Sequence, residues 1–242
     1  MYNYINKTLG RIVGENLQAA KVFEACDIEF CCHGNITVEE ACKQNELDLE
    51  KVIEELYKAD NNKPEEQANF FEVSFDFLTK YIVRVHHGYL YKKLPVIKES
   101  LQQAAKFQSI KYPELNKALN EYYEFEDIFR PHLKLEENEF FPYVRALEKH
   151  KAGLLELPEN YRLSIHQYIR EIEEDHQNAY SLLNMLKETC WNYELPGDAC
   201  EQLKDFVAGM AEMAIDGHIH ITLEDNVLHP RAAELAGQLS VE

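Results

Sequence analysis

Glycine and proline are scarce in this chain, nine and eight in 242 residues, and strict apolar–polar alternation is rare. Both shortages argue against an all-β protein, which needs turn residues every few positions. Basic charge is also short: 25 Lys and Arg face 43 Asp and Glu, a net charge of −18. Such a surface repels phosphate backbones and anionic lipid headgroups, and no local basic patch offsets it, so we expect neither nucleic acid nor membrane as a partner. No apolar run approaches the roughly 20 residues of a membrane span, and the opening MYNYINKTLGRIVGEN lacks the basic-then-apolar order of a secretory leader. The expectation is a cytoplasmic protein. Six cysteines, at 26, 31, 32, 42, 190 and 200, make no CxxC and no regular framework, which reads as free thiols in a reducing compartment. Only the adjacent pair Cys31-Cys32 stands out.

What is present is helical patterning. Residues 1–62 read as a small domain of short helices, with a capping-box signature at Thr37-x-x-Glu40 and apolar stripes through Leu17, Val22 and Phe23 and through Leu47, Leu49, Val52, Ile53 and Leu56. A polar, proline-bearing linker, Asn61 to Gln67, follows. From residue 70 to 242 four long periodic segments, near 75–106, 114–149, 159–191 and 198–228, predict an up-down-up-down four-helix bundle. Proline lacks the N–H that a helical turn uses, so Pro95, Pro131 and Pro142 are expected to kink or interrupt their helices, and the fourth helix to end or restart at His229-Pro230. The fold class is all-α.

The chemistry sits in the bundle. His132-x-x-x-Glu136 and His220-x-x-x-Glu224 each place an imidazole and a carboxylate one turn apart on one helix face. His87 precedes His132 by 45 residues and His176 precedes His220 by 44, so each half of the bundle is a lone-histidine helix followed by an HxxxE helix. One histidine on an apolar face is more often packed core than ligand. Six residues in a duplicated arrangement reverse that balance and suggest two metals, with iron favoured and manganese or zinc as competitors. Glu173-x-x-His176 matches the ferritin-like Glu-x-x-His pattern once, without a second copy, and Glu173 is expected to be solvated. His86 and His218 are read as packing or surface residues, His150 and His166 as exposed, and His229 as a helix-end residue. His33, beside the cysteines, is the one histidine outside the bundle with a chemical role in view.

These residues also resemble a known family. Asp27-Ile28-Glu29-Phe30-Cys31-Cys32-His33-Gly34, the Tyr81 to Tyr89 stretch with His86-His87, His132-x-x-x-Glu136 leading to Phe141-Pro142, Glu174-Asp175-His176 and His220 to Leu228 resemble the iron-sulfur cluster repair di-iron proteins. In these an N-terminal double-cysteine domain precedes a haemerythrin-like domain. The resemblance implies a haemerythrin-like bundle whose His87, His132, Glu136, His176, His220 and Glu224 ligate two iron ions in an oxo- or hydroxo-bridged di-iron centre. It implies a stress-response protein that restores iron-sulfur clusters damaged by nitric oxide or oxidants, by iron donation, with damaged iron-sulfur proteins as partners. Nitric oxide and dioxygen are the small ligands, Cys31 and Cys32 the residues expected to take part chemically, and a homodimer is one assembly left open. Two alternatives stand beside it: nitric oxide reduction by turnover at the di-iron centre, which would make the protein an enzyme, and reversible binding of dioxygen or nitric oxide.

Overall fold

The structure, a computed structural model, describes residues 4–64, 67–158 and 165–239. Four short helices come first: α1 (Leu9–Glu15), α2 (Ala19–Ala25), α3 (Val38–Gln44) and α4 (Leu49–Asn61). The capping box forms as its spacing requires. The Thr37 hydroxyl accepts the Glu40 N–H at 3.2 Å and the Glu40 carboxylate accepts the Thr37 N–H at 2.8 Å. Truncation to alanine should therefore cost about 1 kcal/mol, read as a lower denaturation midpoint at constant slope in Thr37→Ala. Leu9, Ile12, Val13, Phe23, Phe30, Val38, Val52, Ile53 and Leu56 bury together, with Leu17, Val22, Leu47 and Leu49 half-buried at the rim. Among the described residues no strand forms; Thr8 and Thr37 make one isolated bridge.

Three of the long segments each contain a π turn. α5 (Phe75–Ile82) passes through Val83–His87 into α6 (Gly88–Gln108), α7 (Glu114–Leu135) through Glu136–Phe140 into α8 (Phe141–Lys151), and α10 (Glu201–Leu223) through Glu224–Leu228 into α11 (His229–Leu239). α9 (Ile165–Thr189) carries none; its expected first residues, 159–164, lie outside the described residues. α9 ends before the expected Pro196-Gly197 break, at a short 3-10 turn, Trp191–Tyr193, whose three residues have φ of 55, 52 and 67°.

The fourth helix continues past His229-Pro230, and the cause is instructive. A proline ring collides with the carbonyl four residues back and supplies no N–H. Just before Pro142 and Pro230 the turn widens: the Phe141 N–H reaches back five residues to Glu136 O, and the His229 N–H to Glu224 O. The sequence repeats accordingly, Glu136-x-Asn138-x-x-x-Pro142 and Glu224-x-Asn226-x-x-x-Pro230. Pro95 and Pro131 are held inside α6 and α7, so neither they nor Pro142 stop a helix.

By Cα proximity the chain divides into two compact units. One comprises Met1–Ile82, Pro142–Ile169 and Gly217–Glu242. Within it the Glu148 carboxylate caps the start of α5 by accepting the Phe75 and Asp76 N–H groups, and Arg231 donates to the carbonyls of Phe70 and Val73. The other, Val83–Phe141 and Arg170–Asp216, has its own core of Leu90, Leu94, Leu101, Tyr122, Phe125, Leu186 and Phe206. There the Tyr122 hydroxyl donates to the Leu94 carbonyl at 2.7 Å, which satisfies the phenol inside an apolar environment.

Candidate metal centre

The π turns coincide with the expected site. His87 closes the first, Glu136 and Glu224 open the other two, and His132 and His220 stand one helical turn before those carboxylates. Widened turns of this kind are frequent at functional sites. His176 lies midway along α9. All six side chains are buried, none more than 2 % exposed.

Nε2 is the inward atom. His87 Nε2 is 3.4 Å from Glu136 Oε2, while His132 Nε2 and His176 Nε2 are 3.3 and 3.8 Å from Glu136 Oε1. His220 Nε2 is 2.9 Å from Glu224 Oε1, and the Nε2 atoms of His132 and His176 are 3.1 Å apart. The donors form two groups, His87, Glu136, His220 and Glu224, and His132, Glu136, His176 and Glu224, each with donor atoms within 4.8 Å of one another. Both carboxylates belong to both groups.

This set fits a pair of metal ions. Two donors at right angles, each about 2.1 Å from one ion, are about 3.0 Å apart, close to the separation of the two imidazole nitrogens. Two carboxylates buried among imidazoles also need compensating positive charge, because an isolated carboxylate in an apolar interior is held at high cost. Outer nitrogens are positioned for the same task. His87 Nδ1 is 2.7 Å from Glu137 Oε1 and His132 Nδ1 is 3.5 Å from Asp175 Oδ2. A proton kept on Nδ1 leaves the Nε2 lone pair for a metal. The hydrogen bond from His87 holds the Glu137 carboxyl below the usual carboxylate range, and burial beside Glu137 pushes the Tyr91 phenol up to about 12.

Glu137 had no signal of its own in the sequence, and Asp175 entered only within the Glu174-Asp175-His176 motif, with no role assigned. Each directly follows or precedes a stronger candidate, Glu136 or His176, in an acidic run. The remaining histidines also found places. His86 is buried and paired with Asp216 at 3.0 Å, and His218 is hydrogen-bonded to Glu24. His229 is 1 % exposed and 3.4 Å from Asp225, so it is a core residue of a continuing helix rather than a helix end. His166 and Glu173 are exposed as expected, while His150 is half-buried and bonds the Leu155 carbonyl.

Cys31 and Cys32 belong to neither group. They lie on the loop between α2 and α3, which the first turn of α1 secures through N–H bonds from Leu9 to the Ile36 carbonyl and from Gly10 to the Gly34 carbonyl. The helix bearing the ligand candidates His220 and Glu224 grips the same loop. Asn226 donates its Nδ2 to the Cys31 carbonyl at 2.7 Å, and the Thr222 hydroxyl lies 3.5 Å from the Phe30 carbonyl.

Residues 78–232 match the model of the hemerythrin HHE cation binding domain. The chain belongs to this family. Its long helices pack as a hemerythrin-like bundle, and both buried His and Glu groups fall within the matched residues. Residues 5–60 match a second model, ScdA_N, a domain of unknown function. Curated relatives align over nearly the full length. The iron-sulfur cluster repair protein YtfE of Edwardsiella ictaluri is 25 % identical over 229 residues, 95 % of this chain and 97 % of the relative. YtfE of Escherichia coli O8 is 28 % identical over 235 residues, 97 % and 99 % of the two chains. Among the described residues no helix is long and apolar enough to cross a membrane.

Proposed function

We propose that this chain restores iron-sulfur clusters damaged by nitrosative or oxidative stress, with iron as both its resident metal and its cargo. The carrying observation is the pair of buried donor groups that share Glu136 and Glu224. Support comes from the relatives' names, which specify cluster repair. In this reading residues 1–62 form the double-cysteine domain and residues 70–242 the metal-binding bundle. His87 and His220 would hold one iron and His132 and His176 the other, with Glu136 and Glu224 common to both donor groups. Two bound irons supply one-electron redox chemistry and affinity for nitric oxide or dioxygen.

The residues explain why iron could leave. Four imidazoles and only two carboxylates carry less negative charge than an all-carboxylate cage, so a divalent iron held there would be released more readily than from such a cage. Glu137 would keep His87 oriented through its 2.7 Å hydrogen bond. Cys31 and Cys32, soft donors on a loop tied to the helix of Glu224, are suited to receive iron. Damaged iron-sulfur proteins are then the partners.

Metal analysis and an electronic spectrum of the purified chain test this first: about two irons per chain with oxo-bridge absorption are expected, and a single zinc would overturn it. His132→Ala should lower iron occupancy by about half while the exposed His166→Ala leaves it unchanged; equal loss in both would mean unfolding rather than ligation. Incubation with an apo iron-sulfur protein then separates donation from the alternatives. Donation predicts stoichiometric loss of iron to the acceptor. Sustained nitric oxide consumption without iron loss would establish a reductase, and a reversible spectral change alone would establish a carrier.

A further inference from the structure

The double-cysteine loop holds a third set of donors. Cys31 Sγ is 3.7 Å from Cys32 Sγ, and a Glu29 carboxylate oxygen lies within 4.8 Å of both sulfurs. Two thiolates bound about 2.3 Å from a tetrahedral ion are about 3.8 Å apart, so the sulfurs already stand at a chelating separation. A disulfide would need them at about 2.05 Å. The third donor is oriented: His33 Nδ1 is 2.7 Å from Glu29 Oε1, an imidazole holding a ligating carboxylate from outside. Exposure is graded across the set, with Cys31 buried, Cys32 and Glu29 half-buried and His33 exposed. Glu29 and His33 also line a cavity of about 370 Å³ with Asp27, Ile28, Gln44 and Asn45, where the carboxylates of Asp27 and Glu29 attract cations, although neither sulfur lines it.

We propose that Glu29, Cys31 and Cys32 form a separate site for one thiophilic divalent ion, with three protein donors and an open fourth position. Closed four-ligand sites are structural, whereas a site lacking one protein ligand can take and give up its ion. Loading exchanges two thiol protons for the metal, leaving two thiolates and two released protons. The hydrogen bond to Cys32 and burial push the Cys31 thiol up, so Cys31 holds its proton until an ion displaces it. Binding at this site does not depend on the repair reading; that the ion is iron leaving the chain does rest on it.

Cobalt(II) titration of the full chain, its hemerythrin-domain site already loaded with iron, tests the site directly. One equivalent should produce a thiolate-to-cobalt charge-transfer band, which a His and Glu site cannot give. Cys32→Ser and Cys31→Ser should each abolish it, and Glu29→Gln should weaken cobalt binding at least about tenfold. The double variant Cys26→Ser/Cys42→Ser should retain it. Should the buried Cys31 variant fail to fold, the half-buried Cys32 variant decides. His132→Ala should keep the band while losing iron, so failure of the di-iron reading is seen separately. Absence of the band in the natural chain, its survival in Cys32→Ser, or unchanged affinity in Glu29→Gln would overturn the proposal.

Discussion

Glu136→Gln should empty both metal positions at once, whereas His176→Gln should empty only one. The difference follows from the donor groups: His176 belongs to one of them and Glu136 to both. Glutamine keeps the volume of a side chain that is wholly buried, so no cavity forms, but it removes the charge that balances the cations. Metal content should fall to about a tenth or less in Glu136→Gln and to about half in His176→Gln, read by elemental analysis after gel filtration. Stability gives a second readout. A ligand present at about 100 times its Kd stabilises the folded chain by about 2.7 kcal/mol, and in a chain of this size each kcal/mol moves Tm by about 2–4 °C. The loaded natural chain should therefore melt several degrees above Glu136→Gln. With metal stripped from both, the order should close or invert, because the variant has lost a buried charge. Half occupancy in both variants would show that the carboxylate is not shared.

That those six residues cluster was legible in the sequence because helical geometry converts spacing into position. A histidine and a glutamate four apart share a face in any helix, and the matching offsets of His87–His132 and His176–His220 report a duplicated pair of helices. What stayed hidden depends on departures from that geometry or on contacts remote in sequence. Proline's missing N–H at Pro230 suggested His229 as a helix end, but the widened turn at Glu224–Leu228 carries the helix on and His229 is buried. The prolines did mark the places, but as kinks, interruptions or a restart rather than as the reason for a five-residue hydrogen bond. Glu137 was masked by neighbouring acids. The hydrogen bond from Asn226 to the Cys31 carbonyl spans 195 residues, and no local pattern encodes such a pairing. Helix propensity and amphipathic stripes did locate α3 and α4, because capping and burial there involve residues close in sequence.

Gly34→Ala should loosen the double-cysteine loop and lower the stability of the whole chain. Gly34 is buried, and a Cβ there would sit 2.5 Å from the Phe30 carbonyl oxygen and 2.5 Å from Asn226 Oδ1. The first of these is backbone and cannot rotate away. Gly10 approaches the same side chain: a Cβ there would lie 2.4 Å from Asn226 Cγ. Two glycines thus make the space in which Asn226 reaches the Cys31 carbonyl. Overpacking of this kind costs about 1–3 kcal/mol, about 2–12 °C in Tm for a chain of this length. The local consequence is more telling than the melt. Cys31 is 1 % exposed, so alkylation must wait for the loop to open, and displacing the Asn226 bond should raise the Cys31 modification rate while buried Cys190 stays protected. Asn226→Ala, which removes the amide without adding bulk, should speed Cys31 alkylation with a smaller loss of Tm. If Gly34→Ala leaves both Tm and the Cys31 rate unchanged, the loop is not held by the helix of Glu224, and the tie between the cysteines and the metal-bearing helix fails with it.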